Sequence, residues 1–228
     1  MVHVTTKIER ANASDIARLG EFTSATIHEA QGRRGALDSR IKPIDRDTSF
    51  VGSAFTVVCA PRDNLMLQVA IHYAQPGDVL IVAAGGFPEA GMFGDVLGNA
   101  CKAKGIAALV TDSGVRDTQE LRALGLPVFS GSVSIKGTVK ETLGALNQPV
   151  VFAGESIRPG DVVKGDADGV VVVRREEVCE AAELSAARDA HEATLIEQYW
   201  AGCTTIDLCN LTEVLKAKGL TTDIEDES

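Results

Sequence analysis

Residues Gly91–Asp117, GMFGDVLGNACKAKGIAALVTDSGVRD, decide how this chain folds, because they read as one helix, one buried strand and one tight turn in succession. Gly94–Lys104 suits a helix that ends at Gly105, where glycine takes the left-handed conformation that other residues avoid. Ile106–Val110 is an apolar run of strand length, and Asp112-Ser113-Gly114 is expected to break that strand. Val115-Arg116-Asp117 then leads into the helical segment Thr118–Leu124, closed by Gly125. Upstream, the strand Asp78–Ala84 feeds through Gly85-Gly86 towards Gly94-Asp95 in the same way. Strand–helix–strand units of this kind are nearly always parallel, which puts Asp95 and the Arg116-Asp117 pair after strand ends on one edge of the sheet. Open α/β sheets bind their ligands at that edge.

Outward from this stretch the pattern stays α/β. Ser14–Leu19 reads as a short helix capped by Asn12 or Ser14, and Ser24–Gln31 as a second, entered at Thr23-Ser24 and stopped by Gly32. Ser49–Cys59, rich in β-branched and small side chains, predicts a strand pair or a bent strand with Gly52 at the bend. Asn64–Tyr73 suits a helix. The phrases Gln75-Pro-Gly-Asp-Val-Leu and Arg158-Pro-Gly-Asp-Val-Val each predict a type II turn entering a buried strand. Pro127–Phe129, Val150–Phe152 and Gly169–Val173 are further short strands.

From Glu176 to about Trp200 the pattern becomes one long helix, roughly 35–40 Å at the usual rise, with Val178, Ala181, Ala182, Leu184, Leu195 and Ile196 on its apolar side. Thr205–Lys218, ending at Gly219, reads as one more helix. The expected architecture is a single domain over 1–228. An α/β core with a partly parallel sheet and N-terminal short helices fills about 1–175, and a helical oligomerisation extension fills about 176–228.

The 228 residues carry 22 Lys+Arg against 32 Asp+Glu, and a formal net charge of −10 repels a phosphate backbone or an anionic membrane. Part of the excess lies in the tail Asp223–Glu227. Five scattered cysteines without C-x-x-C spacing read as reduced thiols. The N-terminal MVHVTTKIER has no signal-peptide core and no run reaches membrane-spanning length, so a cytoplasmic location is expected.

Each charged residue of the central stretch has two readings. Asp117, with Glu120 three positions on, fits a helix-capping box as well as a site carboxylate, and Asp95 has the same pair of readings. Arg116 is placed to bind a carboxylate through both arms of its guanidinium or to form a surface ion pair. The Gly85–Gly94 cluster matches neither nucleotide-binding glycine motif, yet the backbone N–H groups of Val96 and Leu97 could hold a carboxylate or enolate oxygen. Lys136 could form a Schiff base with a keto acid or serve as a surface charge. His28-Glu29 could line a site or form a structural pair.

Taken together, Gly94-Asp95, Asp112-Ser-Gly-Val-Arg116-Asp117, Ser134-Ile-Lys-Gly-Thr138, Pro159-Gly-Asp-Val, Asp166-Ala-Asp-Gly-Val-Val and Ser24-Ala-Thr-Ile-His-Glu-Ala span most of the chain. They resemble the 4-hydroxy-4-methyl-2-oxoglutarate / 4-carboxy-4-hydroxy-2-oxoadipate aldolases. The resemblance implies a ββα swivelling-domain-like sandwich, assembled as trimers stacked into hexamers with sites between subunits, and a class II pyruvate aldolase of microbial aromatic-acid catabolism. By that resemblance Asp117 would hold Mg²⁺ or Mn²⁺, Arg116 would bind the pyruvyl carboxylate and enolate oxygen, and Asp95 would orient water on the ion. Gly94, Val96 and Leu97 would complete the substrate cradle, and Glu192 would arrive from a neighbouring subunit. Distal substrate carboxylates would be read by residues such as Arg33, Arg34 or His28, and oxaloacetate decarboxylase activity is implied because it passes through the same enolate. The alternative is a regulator of ribonuclease E activity, a binding protein of the same superfamily without this chemistry.

Overall fold

A computed structural model describes residues 4–221, so the acidic tail and the first three residues lie outside the described residues. Two short helices, α1 (Ala13–Leu19) and α2 (Ser24–Ala30), come first, capped by the side chains of Asn12 and Thr23. There follow β1 (Lys42–Pro43), β2 (Phe50–Val58), α3 (Leu65–Tyr73), β3 (Asp78–Ala83), β4 (Gly91–Phe93), α4 (Asp95–Lys104), β5 (Ala108–Val115), α5 (Thr118–Leu124) and β6 (Val128–Val133). The remaining strands are β7 (Ala145–Leu146), β8 (Val150–Phe152), β9 (Glu155–Ile157), β10 (Val162–Gly165) and β11 (Val170–Val173). Then come α6 (Val178–Trp200), α7 (Thr205–Leu208) and α8 (Thr212–Ala217). The chain divides into two compact units, Met1–Ser185 and Ala186–Ser228.

In the first unit the main sheet runs β1-β6-β5-β3-β2-β10-β11. Its middle, β2, β3, β5 and β6, is parallel, while β10, β11 and β1 join antiparallel. Two short strands branch off it, β4 beside β5 in parallel and β7 beside β2 antiparallel. Residues 35–43 nearly close the sheet, because Gly35–Leu37 hydrogen-bond to β11 and Lys42–Pro43 pair with β6. The sheet has two faces, and alternate residues of β3 show them: Leu80 and Val82 pack under α3, α4 and α5, whereas Val79 and Ile81 join Phe50, Phe129 and Phe152 on the other side. Both faces are apolar because a parallel strand covered on each side must be.

Both Pro-Gly-Asp phrases form the expected turns. Gly77 and Gly160 each have φ of 85°, the left-handed value that the third turn position demands. The aspartate after each glycine also accepts from the first turn residue: Gln75 N–H reaches Asp78 Oδ2 at 2.8 Å and Arg158 N–H reaches Asp161 Oδ2 at 2.9 Å. These buried carboxylates are neutralised by Arg10 and Arg174 at 2.8 and 2.6 Å.

Three local expectations are corrected. The strand does not stop at Asp112–Gly114: β5 continues to Val115, crossing a register shift between Thr111 and Gly114, because β4 and β6 both pair with its far end. Nor does Gly52 mark a bend. It lies within the single strand β2, where a β-carbon would stand 2.3 Å from the Gly77 carbonyl oxygen. Thr205–Lys218 is two helices, since Asn210 takes a left-handed φ of 53° between them and a Thr204–Asp207 capping box starts α7 separately.

At the start of α6, Val178, Ala181 and Ala182 are buried against α1 and α2, but Leu184 is exposed. In the second unit Ile196 and Trp200 are exposed as well, so the expected apolar stripe is only partly covered. Among the described residues no helix is long and apolar enough to cross a membrane. All five cysteines are free, and burial pushes the thiols of Cys59 and Cys101 up to about 12.

Candidate active site

At the carboxyl ends of β4 and β5 lies an open cleft of about 240 Å³. Its walls are Gly91, Met92 and Gly94–Leu97, the Arg116-Asp117 pair, Asn64 at the cap of α3 and Gln68 within it, and Lys140 from the loop before β7. The parallel pairing of β4 with β5 brings the two halves together: Arg116 N–H donates to the Phe93 carbonyl oxygen at 2.9 Å, so Gly94-Asp95 and Arg116-Asp117 leave the sheet side by side.

Asp117 occupies the cap position of α5, yet its side chain makes no capping bond. Its backbone is left-handed, φ 54° and ψ 42°, a conformation that costs a non-glycine residue about 1 kcal/mol or more and concentrates at functional sites. The carboxylate turns back across the cleft instead. Oδ2 accepts from Asp95 N–H at 3.2 Å and lies 3.5 Å from Arg116 Nε. The capping reading of Asp117 is therefore not realised. Helix α4 is capped by Gly94, with Asp95 in its first turn.

Glycine is required at two points here by close approach. A β-carbon on Gly94 would stand 2.2 Å from Asp117 Oδ2, and one on Gly91 would stand 2.5 Å from the Ser134 carbonyl oxygen and 3.0 Å from Arg116 Cδ. The Arg116 side chain thus lies over glycine backbone with its guanidinium half-exposed to the cleft. Of the two N–H groups expected to cradle an oxygen, Val96 N–H is taken by Asp95 Oδ1 at 2.7 Å; Leu97 lines the cleft.

No group of three or more His, Cys, Asp or Glu among the described residues could hold a metal ion as an all-protein cage. The donors present are hard carboxylate oxygens, Asp117 foremost, beside an open, glycine-floored space. That set suits Mg²⁺ or Mn²⁺, of which magnesium takes one or two carboxylates and keeps several waters. Glu192 belongs to the second unit, on α6, where it pairs with Arg188 at 2.7 Å.

Other candidates lie elsewhere. Lys136 is exposed and paired with Glu89. His28 Nδ1 is 3.0 Å from the Arg34 carbonyl oxygen, Arg33 pairs with Glu29, and Arg34 pairs with Glu177, so this cluster is tied up around the end of α2. Beside Arg116, a second cation lines the cleft, Lys140, which sequence reasoning passed over together with Asn64 and Gln68.

Two aspartates brace the segments around the cleft, Asp112 half-buried and Asp63 buried. Asp112 accepts from Ala84 N–H at 2.7 Å and Gly86 N–H at 2.8 Å, holding the loop that leads to β4. Asp63 accepts from the N–H groups of Leu65, Glu141 and Thr142. Burial raises the Asp63 carboxyl, but these three N–H donors outweigh it and hold it below the usual carboxylate range. An aspartate at a strand-to-helix junction was the available signal for Asp63; nothing local points to its partners 78 and 79 residues away.

Residues 11–172 match the RraA-like family model described as Aldolase/RraA. A Halalkalibacterium halodurans protein named "Putative 4-hydroxy-4-methyl-2-oxoglutarate aldolase" is 34% identical over 185 residues, covering 80% of this chain and 88% of that one. Among solved structures, Streptomyces coelicolor RraAS2, described as an unusual member of the RNase ES inhibitor RraA protein family, superimposes with a TM-score of 0.70 at 29% identity, covering 83% of this chain and 99% of that chain. The RNA-processing inhibitor RraA from Thermus thermophilis gives a TM-score of 0.61 at 25% identity over 66% of this chain and 91% of that one.

Proposed function

The chain belongs to the RraA-like family, Aldolase/RraA, and on that premise we propose that it is a divalent-metal-dependent pyruvate aldolase. Its substrates are 4-hydroxy-4-methyl-2-oxoglutarate, cleaved to two pyruvates, and 4-carboxy-4-hydroxy-2-oxoadipate, cleaved to pyruvate and oxaloacetate. The observation that carries this reading is the convergence of the Asp117 carboxylate, freed from capping, with Arg116 and Asp95 in one cleft.

In the retro-aldol step the C4 hydroxyl loses its proton, the C3–C4 bond breaks, C4 becomes a carbonyl, and the bonding electrons pass to C3 as the pyruvate enolate. Protonation of C3 completes pyruvate. Arg116 holds the pyruvyl carboxylate and presents a fixed positive charge where the enolate oxygen develops, a preorganised electrostatic effect. Asp117 is the residue that would hold the ion. Mg²⁺ or Mn²⁺ there would act as a Lewis acid on the 2-keto oxygen. Asp95, beside Asp117 at the start of α4, relays the C4 hydroxyl proton through water and returns a proton to C3. Lys140, at the cleft wall, attracts the distal carboxylate that both substrates carry. Glu192 of a neighbouring copy in a trimer or hexamer joins the same water network. Oxaloacetate loses its C4 carboxylate as CO₂ to give the same enolate, so decarboxylation is expected as a side reaction. The setting that suits such substrates is cytoplasmic catabolism of aromatic acids.

A second reading, ribonuclease regulation by protein binding, is favoured by the structural likeness to RraA proteins. A coupled pyruvate-release assay on the two substrates and oxaloacetate, with chelator and then with Mg²⁺ or Mn²⁺ restored, separates the two. Chelator-sensitive release restored by the ion supports the aldolase. Release indifferent to chelator overturns the metal dependence, and no release from any substrate together with ribonuclease E binding favours the regulator.

A further inference from the structure

Lys140 sits on a stretch without helix or strand of its own, between the end of β6 at Val133 and the start of β7 at Ala145, apart from one isolated bridge between Val139 and Asp63. Side chains in it are largely exposed, among them Ile135, Val139 and Leu143. Yet the backbone on either side of Lys140 is fastened to one short segment, residues 62–65. On one side, Val139 N–H donates to the Arg62 carbonyl oxygen at 2.9 Å, and Asn64 N–H donates to the Val139 carbonyl oxygen at 3.1 Å. On the other, Asp63 Oδ2 accepts from Glu141 N–H at 2.9 Å and Thr142 N–H at 2.6 Å.

Asp63 is only 2% exposed, and its Oδ1 is committed to Leu65 N–H at 2.9 Å. The same segment reaches the catalytic side as well: Asn64 Nδ2 donates to the Met92 carbonyl oxygen at 3.1 Å, tying it to β4. Arg62 holds a left-handed φ of 61°, a strained conformation that places Asp63 beneath the loop.

From this geometry we infer that Asp63 is a positioning residue for substrate selection. Its carboxylate pins the backbone at Glu141 and Thr142 so that Lys140 is held over the cleft and sets the affinity for the distal substrate carboxylate. The inference rests on the aldolase reading for the identity of the ligand and on the hydrogen bonds above for the clamp. An Asn here can turn its one acceptor oxygen to Glu141 and Thr142 and give up only Leu65 N–H, whereas alanine removes the acceptor from both loop N–H groups. Asp63→Ala therefore releases the clamp while leaving Arg116, Asp117 and Asp95 untouched.

Three measurements test this together. Amide hydrogen exchange on the wild-type protein should show the Glu141 and Thr142 N–H groups protected by at least about tenfold despite the exposed loop, and D63A should lose that protection. In the pyruvate-release assay, D63A should raise KM for 4-hydroxy-4-methyl-2-oxoglutarate by about tenfold while kcat stays within about twofold, the mark of lost binding rather than lost chemistry. K140A should do the same, and the D63A/K140A double variant should be no worse than K140A alone, since residues acting through one another are not additive.

Should D63A fail to fold, Thr142→Pro removes the shorter loop bond from an exposed position and is expected to raise KM in the same way. Unprotected amides in the wild-type protein, additive losses in the double variant, or a fall in kcat at constant KM would each overturn the proposal. A wild-type protein that releases no pyruvate removes the aldolase reading and the selecting role with it. An active wild type with additive losses removes the selecting role alone.

Discussion

Oδ2 of Asp117 lies only 2.2 Å from the point where a β-carbon on Gly94 would stand. Gly94 has an extended backbone, φ −150°, that any residue could adopt, so alanine is excluded by the Asp117 carboxylate and not by conformation. Gly94→Ala should therefore fold normally but push Asp117 aside, with kcat/KM for pyruvate release falling by about 10²-fold, the usual cost of a displacement near 1 Å. Circular dichroism beside the kinetic assay checks it. Full activity in G94A would place the reacting atoms away from Asp117.

Asp117 itself should show activity and stability pulling apart. Its side chain makes no capping bond, its contact with Arg116 at 3.5 Å is partly exposed, and its left-handed backbone is a strain that glycine would relieve. Asp117→Asn should change the unfolding free energy by no more than about 0.5 kcal/mol, as for a side chain making few contacts. Asp117→Gly should be at least as stable as D117N, while each loses about 10²-fold or more in turnover. Denaturant unfolding of both variants gives the answer, and a D117G less stable than D117N would restore the capping role, since Asn keeps a capping oxygen and Gly has none.

Much of this arrangement was legible in the chain, and the reasons are local. Gly105 and Gly125 stop α4 and α5 at φ of 77° and 65°, and the two Pro-Gly-Asp turns close through their own aspartates, so each signal acts within five residues. The convergence of Asp95 with Arg116-Asp117 follows from parallel pairing alone. What escaped notice depends on distant partners. Strand β4 is three residues long and pairs only with β5, and the register shift in β5 hides its continuation behind a turn-like Asp-Ser-Gly. Lys140 reaches the cleft through Asp63, far away in sequence, and no periodicity or spacing records a bond of that kind.

Lys136 is expected to be dispensable. Its ammonium pairs with Glu89 at the surface, and its hydrogen bond and charge hold the Glu89 carboxyl below the usual range. A Schiff base needs a neutral amine, which an exposed lysine in an ion pair does not supply. Lys136→Ala should keep pyruvate release within about twofold of wild type, as for an exposed side chain that does not line the cleft. Borohydride added with pyruvate should leave the protein mass unchanged; a trapped adduct on Lys136 would sink the metal mechanism.

Acid sensitivity should trace in part to Asp166. Burial raises this carboxyl, but the Ser24 hydroxyl and N–H, both at 2.6 Å, the Asp168 N–H and the Lys164 charge outweigh it and bring it below the usual range. With the folded pKa lower than the unfolded value of about 3.9, the stabilisation is complete above that value and disappears as pH falls through the folded pKa. The bonds at stake join the start of α2 to the loop between β10 and β11, so their loss loosens the near-closure of the sheet around Gly35–Leu37. Asp166→Asn should be less stable than wild type at pH 7 by about 1 kcal/mol, a figure kept low because the group is partly exposed. The deficit should shrink as pH falls below the unfolded value and on through the lowered folded pKa, where the wild-type carboxylate becomes protonated as well. Urea unfolding at pH 7, 4 and 2.5 measures both curves, and a deficit that stays constant across them would exclude Asp166 as a source of the acid limb.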